Sequence, residues 1–141
     1  MPVRTSQATW NGGLQSGAGE LVVGNNAWTG PFSFKSRFAD GEGTNPEELI
    51  AAAHAGCFSM ALSVALGKAG FAPEKISTEA SVRLEKVGDA FSITRIDLTT
   101  VGQVPNIDEA QFKTIAEAAK ENCPVSKALN AVEITLSARL Q

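Results

Sequence analysis

From Leu49 to Leu66 the chain is apolar with few interruptions, His54 and Ser59 among them. The run is too long for a strand and predicts a helix. Its ends are well marked. Asn45 can cap it, Pro46 suits the first helical position, and Glu48 lies where it would complete a capping box. Lys68 and Gly70 supply a positive last turn and a left-handed stop. Apolar nearly all round and rich in alanine (Ala51, Ala52, Ala53, Ala55), the helix is expected to be buried on most sides. A second long helix of the same chain, or of a partner subunit, would cover it. The glutamates at its start and the polar residues within it favour a core helix over a membrane span.

The N-terminal third has a different texture. Trp10-Asn11-Gly12-Gly13 and Val23-Gly24-Asn25-Asn26 read as turns between short strands. Phe32, Phe34, Ser36 and Phe38 alternate with Ser33, Lys35 and Arg37, which predicts a strand over 32–38; 41–45 is a loop. After the long helix, Ile76 to Val87 and Phe91 to Val101 predict a hairpin turned at Gly88-Asp89, and Pro105 ends its second strand. A helix follows, capped by Asp108 with Gln111, stapled by Ile107 to Phe112, and carrying Ile115, Ala116 and Ala119 on one face. Asn122 ends that helix, Cys123-Pro124 opens a short one, and Val132 to Leu140 is a closing strand. The expected class is α+β, an antiparallel sheet holding two main helices in one domain over residues 1–141.

Composition narrows the function classes. At 141 residues the chain can bury a sizeable core, and 43% hydrophobic with 19% charged residues is ordinary for a folded domain. A net charge of −3 with no Lys/Arg run gives no nucleic-acid footprint. No basic segment precedes an apolar one at the N-terminus, so no secretory signal is expected. The two cysteines therefore point to the cytoplasm, where disulfides are transient, catalytic or sensory.

Residue by residue, the chemistry is open. Cys57, in the middle of an alanine-rich helix, reads first as a small core hydrophobe; a reactive thiolate there would need a neighbouring cation. Cys123 precedes Pro124 at a helix start, where backbone N–H groups lower a thiol pKa. One histidine and two cysteines at no ligand spacing make no metal site, and no cofactor is expected. His54 shares a helix face with Cys57, so a Cys–His dyad is conceivable, ranked below a hydrogen-bonded core histidine. Glu48 has its capping task, whereas Glu47 reads as solvent-exposed.

The stretch Gly43-Thr44-Asn45-Pro46-Glu47-Glu48-Leu49-Ile50, then Ala52-Ala53-His54-Ala55-Gly56-Cys57-Phe58-Ser59-Met60, resembles the OsmC subgroup of the OsmC/Ohr organic hydroperoxide peroxidases. Cys123-Pro124-Val125-Ser126 matches that family's second-cysteine motif. The resemblance implies a peroxidatic Cys57, a resolving Cys123, Arg37 as the cation beside the thiolate and Glu47 as its carboxylate partner. It also implies an intertwined homodimer with two interfacial sites, an organic hydroperoxide substrate, and a dithiol reductant such as lipoyl groups. The chemistry is coherent: a guanidinium held by a carboxylate can stabilise both thiolate and departing alkoxide, and a second thiol traps the sulfenic acid. Phe, Met and Leu near Cys57 would favour organic peroxides. Glu47 and Cys57 are ten residues apart, about 15 Å along one helix. Either the helix breaks or Glu47 comes from the other subunit. The rivals are a small-molecule or lipid-binding module with structural cysteines, and a general thiol–disulfide oxidoreductase, for which the expected Cys-x-x-Cys is missing.

Overall fold

A computed structural model describes residues 1–141, which form two compact units, Met1–Leu49 and Ile50–Gln141. The first unit opens with a three-stranded antiparallel sheet: β1 (Ser6–Asn11), β2 (Ala18–Val23) and β3 (Trp28–Phe32), in that order. The two glycine- and asparagine-rich turns fall where the sequence placed them. Gly24 and Asn26 adopt positive φ in the second.

The alternation at Phe34–Phe38 does not make a strand. Ser33 takes extended backbone and its hydroxyl accepts from Ser36 N–H at 3.1 Å, while Ser33 N–H donates to Ser36 Oγ at 2.8 Å. This capping box starts a short helix, α1 (Phe34–Phe38), with the Phe34 and Phe38 rings one turn apart, their centroids 4.9 Å from each other and their planes tilted by 42°. Two reciprocal caps outweigh an alternation only seven residues long.

The long helix α2 runs unbroken from Pro46 to Lys68, its first turn belonging to the first unit. Asn45 Oδ1 accepts from Glu48 N–H at 2.9 Å, as expected of the cap. The box is not closed by Glu48, however: its carboxylate accepts from the Thr44 hydroxyl at 2.7 Å. At the far end Phe71 N–H reaches Leu66 O and Gly70 N–H reaches Gly67 O, with Gly70 at φ +92°. That pair of bonds is a Schellman stop, and it needs the left-handed glycine.

In the second unit β4 (Lys75–Val87) pairs antiparallel with β5 (Ala90–Gln103), and β5 pairs parallel with β6 (Glu133–Leu140). The parallel pairing departs from the expected all-antiparallel sheet. Its cause is the intervening α3 (Glu109–Asn122) and α4 (Pro124–Ala128), which carry the chain back so that β6 starts beside Arg95 and runs the same way as β5. Asp108 caps α3, accepting from Gln111 N–H at 2.7 Å. Phe58, Leu62 and Leu66 of α2 pack with Leu98 of β5 and Phe112, Ala116 and Ala119 of α3. Burying each large side chain contributes about 1.5–3 kcal/mol.

Within one chain, α2 buries a single face. Only the stripe His54, Phe58, Leu62, Leu66 is fully buried, at the i, i+4 spacing of one face. Ala52, Ala53, Gly56, Met60 and Val64 are exposed. Its length and apolar composition would suffice to cross a membrane, but the buried stripe is part of the core.

Candidate active site

In the first unit the hydroxyl of Ser36 donates to Thr44 O at 2.7 Å, and the Asn45 side-chain amide donates to Ser36 O at 2.9 Å. These two bonds fasten α1 to the start of α2. Gly43 makes the turn between them possible: it sits at φ +103°, and a Cβ there would lie 2.3 Å from Pro31 O. The result brings Arg37, in the last turn of α1, onto Glu47, in the first turn of α2. Arg37 Nη2 donates to Glu47 Oε1 at 2.7 Å, and Nε lies 3.2 Å from both carboxylate oxygens. Glu47 is buried (8% exposed), so its reading as a solvent-exposed residue is overturned, while the guanidinium stays partly open. Arg37 lies 5.5 Å over the Phe38 ring and borders a cleft of about 260 Å³ lined by Trp10, Leu14, Phe32 and Phe34.

In the second unit Cys57 and Cys123 are free thiols with their sulfurs 3.1 Å apart. Cys57 is half-buried and borders a cleft of about 690 Å³ whose walls include Met60, Ala61, Val64 and Ala118. Met60 is the one of the anticipated Phe, Met and Leu neighbours found there; Phe58 and Leu62 point into the core instead.

Cys123 has no solvent exposure and ends α3 while starting α4, the capping position expected for it. Its side chain closes no capping hydrogen bond. Burial alone would raise its pKa, but the Ser126 amide, the Cys57 thiol, the Ser126 hydroxyl and the Val125 amide together hold it below the usual thiol value. Burial pushes the Cys57 thiol up, and the neighbouring Cys123 raises it further against a smaller contribution from the Val125 amide. No cation is among the groups acting on Cys57.

His54 is fully buried and bonds to Ser126, not Cys57: its Nε2 lies 2.8 Å from Ser126 Oγ, while Nδ1 has no hydrogen-bond partner. Burial lowers its pKa, keeping the ring neutral. Ser126 entered the sequence reading only as part of a motif. Its signal was position, three residues after a helix-starting cysteine, where a side chain turns back toward the cap. No group of three or more His, Cys, Asp or Glu residues is arranged to hold a metal.

A family model described as OsmC-like protein matches residues 39–137, a span that takes in Glu47 and both cysteines. The chain belongs to the OsmC-like protein family. Among its OsmC-like relatives, it is 48% identical over 139 residues to Peroxiredoxin OsmC of Escherichia coli (strain K12), covering 98% of this chain and 96% of that one. It is 32% identical over 137 residues to the organic hydroperoxide resistance protein of Xanthomonas axonopodis pv. citri (strain 306), covering 94% and 92%. Among solved structures, the organic hydroperoxide resistance protein OhrB of Bacillus subtilis aligns with a TM-score of 0.70 at 26% identity, covering 97% of this chain and 98% of that one. The α+β class and the OsmC-like fold are as the sequence implied.

Proposed function

We propose that this OsmC-like chain is a cysteine-based peroxidase that reduces organic hydroperoxides to alcohols. One observation carries the reading: two free thiols 3.1 Å apart, one sealed in the core and one bordering an apolar cleft. The names of its relatives, peroxiredoxin and organic hydroperoxide resistance protein, support a peroxide-detoxifying redox role.

In this reading the Cys57 thiolate attacks a hydroperoxide oxygen. The O–O bond breaks, Cys57 becomes a sulfenic acid, and the alkoxide leaves and takes a proton to become the alcohol. Cys123 then attacks the Cys57 sulfur. The S–S bond forms as the S–O bond breaks, and the hydroxide leaves as water with the proton that Cys123 gave up. A disulfide needs its sulfurs at about 2.0 Å, so the pair closes by only about 1 Å. A dithiol, such as a lipoyl group, restores both thiols by exchange. A reducing compartment, the cytoplasm, suits such a cycle.

Arg37 is the cation that the raised Cys57 pKa calls for, and Glu47 fixes its orientation. The continuity of α2 removes the broken-helix alternative, since ten residues span about 15 Å. We therefore assign Arg37 and Glu47 of each site to the second subunit of a homodimer. The exposed small and apolar face of α2 is the surface such a partner would cover.

Stopped-flow mixing of the reduced protein with an alkyl hydroperoxide and with hydrogen peroxide tests the reading. Consumption of the alkyl hydroperoxide at the faster rate, lost in Cys57→Ser, is expected. No consumption, with both thiols still titrating afterwards, would overturn it in favour of a binding module.

A further inference from the structure

His54 has no part in the cycle above, yet it is the most deeply buried titratable group outside the cysteine pair, with no exposure at all. Its environment is unusual for a packing residue. Buried polar atoms are nearly always paired, but here Nδ1 has no partner and Nε2 has one, Ser126 Oγ at 2.8 Å. Ser126 is itself buried and sits three residues after Cys123, with its amide and its hydroxyl both favouring a thiolate on that sulfur.

The orientation of the chain follows from the unpaired nitrogen. A neutral imidazole carries its proton on one nitrogen only. If Nδ1 held it, a buried N–H donor would be orphaned, the rarer and costlier defect. If Nε2 holds it, Nδ1 is left as a bare lone pair. The Nε2–H then donates to Ser126 Oγ, whose own proton is free to point elsewhere.

We propose that His54 is a positioning residue for Cys123: its Nε2–H holds the Ser126 hydroxyl so that the hydroxyl donates to the Cys123 sulfur. No proton is transferred; the chain of donors, His54 to Ser126 to Cys123, keeps a nucleophilic thiolate where the resolving attack needs one. The other groups acting on that sulfur are the Cys57 thiol from α2 and the Val125 and Ser126 amides from α4. The resolving role rests on the peroxidase reading, whereas the hydrogen-bond chain does not.

Two measurements separate those layers. The first is the thiolate absorbance titration of Cys123 in a Cys57→Ser background, which needs no peroxide. Ser126→Ala and His54→Leu should each raise the midpoint by about one pH unit, a tenfold change in the equilibrium. The double variant should raise it no further, and His54→Gln, whose amide can donate where Nε2 did, should restore most of it. A midpoint unmoved in Ser126→Ala, a small change that the fold should accept, overturns the proposal even if His54→Leu does not fold. The second is the nitrogen-15 spectrum of the imidazole, free of overlap because the chain has one histidine. The Nε2–H tautomer is expected, and the Nδ1–H tautomer overturns the proposal. If both hold while no peroxide is consumed, the chain of donors stands and the peroxidase reading falls.

Discussion

Arg37 and Glu47 meet through Nε and Nη2 on one side and both carboxylate oxygens on the other, although they lie in different helices. The Ser33–Ser36 box and the Asn45–Ser36 bond fix both helices before either side chain is considered. The guanidinium is therefore held by the fold, and its orientation depends on the Glu47 carboxylate. Glu47→Ala releases it. Hydrogen bonds to charged groups are worth about 1.5–3 kcal/mol, so the first oxidation step should slow roughly 10- to 100-fold. Single-turnover stopped flow would show this, and an unchanged rate would remove Glu47 from the machinery.

Cys57→Ser should abolish turnover, while Cys123→Ser should react once and then stall or over-oxidise. Mass spectrometry after one equivalent of peroxide should find a Cys57–Cys123 disulfide in the wild type and a sulfenic or higher acid on Cys57 in Cys123→Ser. An oxygen adduct appearing first on Cys123 would reverse the two roles.

The pH behaviour has a definite sign. Burial raises the Cys57 pKa, so without a cation its thiolate would form only above the ordinary thiol range. In the proposed site, Arg37 from the second subunit is the group that would favour the charged form and bring the titration down. In a Cys123→Ser background, Arg37→Ala should move the Cys57 absorbance titration to higher pH and slow peroxide reduction at neutral pH. A titration that stays in place would mean that another group stabilises this thiolate.

Subunit sharing can be read by complementation. Glu47→Ala and Cys57→Ser homodimers should each be impaired. Unfolded and refolded together, they should form mixed dimers holding one intact site and one with both defects. With random pairing, about a quarter of wild-type sites would return. A mixture as impaired as its parents would place both residues in one chain.

The sequence disclosed the site in proportion to how local its signals were. The Asn45 cap, the Gly70 stop and the Asp108 cap are decided by neighbours in the chain, and each appears where expected. The segment 32–38 failed because alternation over seven residues competes poorly with two serines that cap each other. Glu48 missed its capping bond because its carboxylate accepts from the Thr44 hydroxyl instead. The direction of β6 is not written in the strand's own residues; it follows from the helical crossover that joins β5 to β6. The burial of Glu47 depends on Arg37 arriving from another helix, and the pairing of His54 on Ser126 arriving from far along the chain. Contacts of that kind are made by topology, which no residue pattern encodes.

The unequal access to the two sulfurs governs how the oxidised protein can be recharged. Cys123 has no surface that solvent can reach, whereas Cys57 borders the cleft. In the proposed cycle an incoming thiolate can therefore attack the disulfide from one side only. The mixed disulfide must form on Cys57, with Cys123 expelled. Exchange is faster when the departing thiol is the more acidic one, and Cys123 is the thiol that its surroundings acidify. The same amides that make Cys123 ready to close the bond thus make it the better leaving group when the bond is opened. The regiochemistry of reduction is set by burial, before any reductant is chosen.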